Sequence, residues 1–193
     1  MANHAEKLEK AKQEIRAVIE KQGDEIPLQA RPLIEEAIAK MKVDNISPKD
    51  ALGFTSQMME VIYQHGYNLF QNGKYKDALI IFNFLRQLDF SDTRYTFAIA
   101  ACYQYSKQYL DAAANYSIYK SMDPLNPIPC FHLYDCYLKA DYPLSALLAI
   151  QEALALADRN PEYAGLKKKI QLELEHLETV LKSHLNEKQE TSA

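Results

Sequence analysis

The sequence predicts an all-α fold built as an array of short helix pairs, and three observations carry that prediction. Apolar residues recur at three- and four-residue steps rather than in strict alternation, which is the period of one helix face. The 193 residues include five glycines, few for a β-rich chain that needs glycine in its turns. The chain also lies over itself at an offset of 34 residues. Gly66 then falls on Ala100 and Tyr134, Leu69 on Tyr103 and Tyr137, Tyr75 on Tyr109 and Pro143, Ala78 on Ala112 and Ala146, and Phe82 on Tyr116 and Ile150.

That period, with small and large anchors alternating at fixed places, is the pattern of the tetratricopeptide repeat (TPR) superhelix. Three repeats are expected at about 59–92, 93–126 and 127–160. Each anchor has a packing reason. A small residue at Gly66 or Ala100 lets two helices approach closely. Leu69, Tyr103 and Tyr137, three positions on, face the partner helix. Ala78, Ala112 and Ala146 are the small contacts on the second helix, and Phe82, Tyr116 and Ile150 fill the space between repeats. "NGK" at 72–74 is a turn in which Gly73 takes a positive φ. "MDPLNP" at 122–127 ends a helix, because Pro124 and Pro127 cannot continue it.

The flanks differ from the repeats. Residues 1–58 form an N-terminal helical arm. Its first helix, about 4–22, is amphipathic, with Leu8, Ala11, Ile15, Val18 and Ile19 on one side. "IPLQARP" breaks it, and a second helix over about 32–42 carries Leu33, Ile34, Ala37, Ile38 and Met41. Ser47 is an expected N-cap with Pro48 at the first helical position. Asn160 and Pro161 open a long C-terminal helix whose stripe is Leu166, Ile170, Leu174, Leu177, Leu181 and Leu185. It suits the polar-faced cap that a solenoid needs, and the tail "NEKQETSA" is expected to fray.

Composition excludes several classes. A 25% charged, 48% hydrophobic chain is ordinary for a globular protein. Its net charge of −4 offers no long-range attraction for nucleic acid or acidic membranes. No apolar run approaches the ~20 residues of a membrane span, and the N-terminus lacks the apolar core of a secretory signal. Three cysteines without paired spacing point to a reducing cytoplasm.

The aromatics of the first repeat divide between two stripes. Ile62, Gly66 and Leu69 face the partner helix. Tyr63, Tyr67 and Phe70 lie about 100° around, on the side that lines the concave surface of such arrays. The equivalent positions are Phe97, Ala101 and Gln104 in the second repeat, and Phe131, Asp135 and Leu138 in the third. The expected groove is apolar and aromatic, with little charge and no basic clamp for a peptide carboxylate. A wet aromatic stripe is costly, since burying one such side chain is worth roughly 1.5–3 kcal/mol. Its natural ligand is an extended peptide with a few apolar anchors. The alternative is that these rings pack on the N-terminal helices or on a second subunit.

Three stretches resemble a known family, the class II chaperones of bacterial type III secretion that hold hydrophobic translocator proteins. They are "YNLFQNGKYKDALIIFNFLRQLDFSD" (67–92), "YTFAIAACYQYSKQYLDAAANYSIYKSMDP" (95–124) and "PIPCFHLYDCYLKADYPLSALLAI" (127–150). In the last, Pro127, Phe131, His132, Asp135 and Cys136 keep the family's spacing, which generic repeats lack. The resemblance covers roughly residues 45–180. It implies a cytoplasmic, non-enzymatic protein that holds an unfolded segment of a translocator in its concave groove. Tyr63, Tyr67, Phe70 and Tyr75 are implied as pocket walls, with Leu88, Phe90, Phe97 and Tyr116 beside them, and Phe131 follows from the groove columns. The family's dimerisation through N-terminal helices implies a homodimer through residues of about 27–58. The arm is longer than the family's, leaving residues 1–25 outside the resemblance, and Tyr134 stands where a small residue is usual.

Other features read as structure. Cys130, His132 and Cys136 are close in sequence, but only His132 and Cys136 share a helix face, so a packed pair is expected and no metal or other cofactor. Asp135 is expected to anchor a ligand backbone or a neighbouring helix. "GLKKKI" (165–170) reads as a solvated basic face. No catalytic constellation is visible. The rival function is a general repeat adaptor whose partner stays folded.

Overall fold

The computed structural model describes residues 3–22 and 27–190, without the side chains of Gln22 and of 184–190. Among the described residues every regular element is helical. Helices α1 (His4–Gln22) and α2 (Arg31–Asp44) form a hairpin, and the single turn α3 (Pro48–Ala51) leads into the array. Three pairs follow: α4 (Ser56–Gln71) with α5 (Tyr75–Leu88), α6 (Thr93–Tyr105) with α7 (Tyr109–Met122), and α8 (Pro127–Lys139) with α9 (Pro143–Ala157). A 3₁₀ turn at Pro161–Tyr163 opens α10 (Ala164–Glu190), which packs on α9.

The helix ends follow from their capping residues. Thr55, Asp92 and Asn126 precede α4, α6 and α8, and each side chain accepts a backbone N–H of the first turn. Ser47 does the same for α3, as its position before Pro48 predicts. The second helices of the pairs have no such cap. They start directly from a tight turn that recurs every 34 residues, with φ of 73° at Gly73, 63° at Lys107 and 65° at Asp141. The same two hydrogen bonds close each turn, for example Gly73 N–H to Phe70 O at 2.9 Å and Lys74 N–H to Leu69 O at 3.0 Å. One backbone geometry is thus built three times, only once with the residue that fits it without cost.

The core runs along the array. Ala78, Ala112 and Ala146 are fully buried, and so are Phe82, Tyr116 and Ile150 between the pairs. Gly66 is a true close approach, because a Cβ there would lie 2.9 Å from both Ile81 Cγ2 and Phe82 Cε1. Tyr134, at the corresponding place in the third pair, is nonetheless buried. Its ring leans on Phe131 and its hydroxyl donates to Glu173 of α10 at 3.0 Å. The last pair is covered by a different partner, so the bulk is accommodated.

The flanks bring two differences from expectation, at Val18 and at the end of α10. The α1 seam is Leu8, Ala11, Ile15 and Ile19 against Ile34, Ala39 and Val43, whereas Val18 points outward, 55% exposed. In α10, Ile170 and Leu177 are buried and Leu166, Leu174 and Leu181 pack beside them, while the Leu185 side chain lies outside the description. The helix runs on to Glu190, past the point where fraying is expected, and residues 191–193 lie outside the described part.

Candidate peptide-binding groove

The inner faces of α4, α6 and α8 place two clefts side by side. The first, about 90 Å³, is almost wholly apolar and is lined by Tyr63, Tyr67, Phe70, Phe82, Phe97, Ala98 and Ala101. Its walls are rings held by other rings. Tyr63 tilts against Phe82 at 5.5 Å and Tyr95 at 6.0 Å, and the Arg94 guanidinium caps Tyr63 at 4.9 Å. Arg94 is itself fixed by Asp92 at 2.7 Å and Glu60 at 3.0 Å, which raises its pKa through hydrogen bonding to Asp92 above all. Burial likewise pushes the Tyr95 phenol up to about 12. At the far edge Phe70, Tyr75 and Tyr105 form a ring triangle with sides of 5.2–5.7 Å.

The second cleft, about 410 Å³, is mixed. Gln104, Tyr105, Phe131, His132, Tyr134, Asp135, Leu138 and Lys139 line it from α6 and α8, and Lys169 and Glu173 from α10. A hydrogen-bonded partition stands at its base. The Tyr116 hydroxyl donates to Gln104 Oε1 at 2.7 Å, and Gln104 Nε2 donates to Asp135 Oδ2 at 2.5 Å. Lys139 Nζ donates to the same oxygen at 2.8 Å. His132 stacks flat on Tyr116, 4.7 Å between ring centres and 9° between planes, with the Phe97 ring edge-on at 5.4 Å. Burial lowers the imidazole pKa from its ordinary 6.5; Asp135 opposes the shift, and Lys169 and Lys139 add to it.

All nine positions in the predicted groove columns line one cleft or the other. Of the named site residues, Tyr63, Tyr67, Phe70 and Phe97 wall the apolar cleft and Phe131 the mixed one. Tyr75 supports the edge through Phe70 and Tyr105 without lining either. Leu88 and Tyr116 do not reach the surface: both are buried in the core, on faces turned toward the next helix pair, and have no area to offer a peptide. Phe90 is exposed in the link between α5 and α6 and lines neither cleft.

The expectation of little charge holds for the apolar cleft and fails for the mixed one. Lys139, Lys169 and Glu173 gather there beside Asp135. Lys169 belongs to the "GLKKKI" run, and rather than pointing only to solvent its ammonium lies 5.0 Å over the Phe131 ring. Asp135 joins a neighbouring helix, α6, through Gln104.

Burial pushes the thiols of Cys102, Cys130 and Cys136 up, to about 12, 11 and 12, away from nucleophilic use. Among the described residues no three His, Cys, Asp or Glu side chains gather as a metal would need. A larger cavity between α1 and α2, about 540 Å³, is charged rather than ring-lined; Arg16 grips Glu35 there in two bonds of 2.7 and 3.0 Å and Lys12 pairs with Glu36, beside Glu9, Glu20 and Arg31.

No family model matches the chain. Known proteins do. Low calcium response locus protein H of Yersinia pseudotuberculosis is 32% identical over 121 residues, 63% of this chain and 72% of that one. The structure of Pseudomonas aeruginosa PcrH in complex with the chaperone binding region of PopD superposes with a TM-score of 0.62 at 32% identity, covering 66% of this chain and 96% of that one. The Yersinia enterocolitica type III secretion chaperone SycD, solved with a peptide of the translocator YopD, gives 0.60 at 31% identity over 65% and 95% of the two chains; SycD is also known as an alternative dimer. With the repeat columns, the ringed groove and these likenesses agreeing over most of each relative's length, the chain belongs to the translocator chaperones of bacterial type III secretion.

Proposed function

We propose that this chain binds an extended segment of a hydrophobic translocator in its concave groove and keeps that protein soluble and unassembled before export. The observation that carries the reading is the apolar cleft. Tyr67 remains 42% exposed at its mouth, and five groove-column side chains from two successive helix pairs converge on one small ring-lined space. That shape takes an apolar side chain of a strand lying across the first helices. The PcrH and SycD complexes contain translocator segments, which supports the same cargo class here. The protein acts by substituting its own apolar contacts for cargo surface that would otherwise aggregate. Such work needs no catalytic group and belongs in the cytoplasm, where cargo waits. No described helix is long and apolar enough to cross a membrane.

Co-expression with the cognate translocator tests the reading. Wild type should yield a soluble complex. Tyr67→Ala with Phe70→Ala removes two cleft walls, about 3 kcal/mol or more of burial and over a hundredfold in affinity. A translocator that stays soluble and bound to the double variant would sink the groove model.

The chain also forms a homodimer through residues of about 27–58 in this proposal. Leu28, Leu33 and Ile38 stand exposed there without an apolar cover. Leu28→Glu with Leu33→Glu should halve the sedimenting mass of the full chain; an unchanged mass would place the contact elsewhere.

A further inference from the structure

We propose that the mixed cleft is a subsite for an acidic side chain of the cargo segment, read by Lys169 of the C-terminal helix. The inference rests on the groove reading above and adds a second requirement to it. The cleft holds two carboxylates and two ammonium groups, but they are not equally committed. Asp135 already accepts from Gln104 and Lys139, and Glu173 accepts from the Tyr134 hydroxyl. Each carboxylate thus already has a donor on one oxygen, while its other oxygen stays unengaged among the described residues. Lys139 spends one hydrogen on Asp135 and keeps two. Among the described residues Lys169 Nζ makes no ion pair or hydrogen bond, and its one contact of note is the face of Phe131. An arriving carboxylate therefore finds an unclaimed ammonium over an aromatic floor, with a second ammonium across the cleft, in a space large enough for the side chain and its remaining water.

The position of this subsite relative to the apolar one fixes a spacing. Ala101 lines the first cleft and Gln104 the second, on one face of α6, about 4.5 Å apart along the helix axis. An extended strand advances about 3.3 Å per residue, so this offset alone spans one to two residues, and with the reach of the two side chains added the acidic residue lies within about four residues of the apolar anchor. The full selection rule is an apolar side chain for the ring-lined cleft and an Asp or Glu nearby for Lys169.

A bacterial-display library of random 12-residue peptides, sorted against the intact protein, tests this. Wild type should enrich peptides with an apolar anchor and an acidic residue within about four positions. Lys169→Ala, an exposed position on α10, should keep the anchor and lose the acidic enrichment, and Lys169→Glu should favour Lys or Arg there. For one enriched peptide followed by fluorescence anisotropy, changing its acid to the amide should weaken binding to wild type about five- to tenfold and leave Lys169→Ala unaffected. The wild-type effect should shrink in high salt. Acidic enrichment that is absent from wild type, or unchanged in Lys169→Ala, overturns the subsite while leaving the groove intact. A library that yields no binder, or yields the same peptides with Tyr67→Ala and Phe70→Ala in place, overturns the groove reading itself.

Discussion

Replacing Gly66 with alanine adds one methyl group where two core side chains already stand. The new Cβ would sit 2.9 Å from Ile81 Cγ2 and 2.9 Å from Phe82 Cε1, and Phe82 is buried on all sides. Ile81 is half-buried and can give way, but the Phe82 ring cannot withdraw without disturbing the core around it, so the upper part of the 1–3 kcal/mol range for overpacking applies. Against this, alanine is preferred to glycine in a helix by about 0.8–1.0 kcal/mol. The balance is a loss of about 1–2 kcal/mol, or roughly 2–8 °C in Tm for a chain of this size. Gly165 on α10 is the control, because a Cβ there meets nothing within 4 Å. Gly165→Ala should therefore raise stability by up to about 1 kcal/mol. Urea unfolding of both variants measures the pair. Phe82 also lines the apolar cleft, so Gly66→Ala should weaken cargo binding as well. Equal, stabilising effects at the two glycines would refute the claim that α4 and α5 meet at Gly66.

Three further outcomes follow from the same geometry. Lys107→Gly and Asp141→Gly, at the left-handed turn positions, should each stabilise by about 0.5–1 kcal/mol, the left-handed strain relieved less the entropy of glycine, whereas Gly73→Ala should cost about 1 kcal/mol; thermal unfolding separates the signs. Leu88→Ala should lose about 2–5 kcal/mol of stability while Tyr67→Ala, at the groove mouth, should leave stability within about 1 kcal/mol and reduce binding; a Leu88 variant of wild-type stability would show that residue to lie outside the core. Because burial holds the His132 pKa below 6.5, the unfolded chain takes up that proton first as pH falls. Its contribution to stability is full above about 6.5, declines as pH drops toward the folded value and then levels. His132→Phe should flatten that part of the stability-pH curve, and an unchanged slope in urea titrations would count against a folded-state pKa this low.

The array was legible because its packing repeats. Small residues at Ala78, Ala112 and Ala146 and large ones at Phe82, Tyr116 and Ile150 solve one steric problem three times, and the columns expose it. The apolar cleft followed from the same register. Two assignments failed where register and residue type pulled apart. Tyr116 is aromatic, but its column already places it with Phe82 and Ile150 in the core; Leu88, at the end of α5, is buried in the core cluster that also holds Tyr95 and Ile99. The mixed cleft was hidden for a different reason. Lys169 and Glu173 come from α10, which lies outside the 34-residue register, so no column brings them beside Phe131. Tyr105 was missed by one position from Gln104, since its ring reaches back across the turn to Phe70 and Tyr75.

The partition of Tyr116, Gln104 and Asp135 gives the groove a fixed gauge. Both ends of the Gln104 amide are engaged, one by a hydroxyl from α7 and the other by a carboxylate from α8, so the base of the mixed cleft, beside the apolar one, cannot rotate or slide without breaking contacts in three helices. Whatever lies across it meets two compartments at a set interval. Recognition in such a groove is a measurement of distance along a strand, and two cargo segments of the same composition but different order would be told apart.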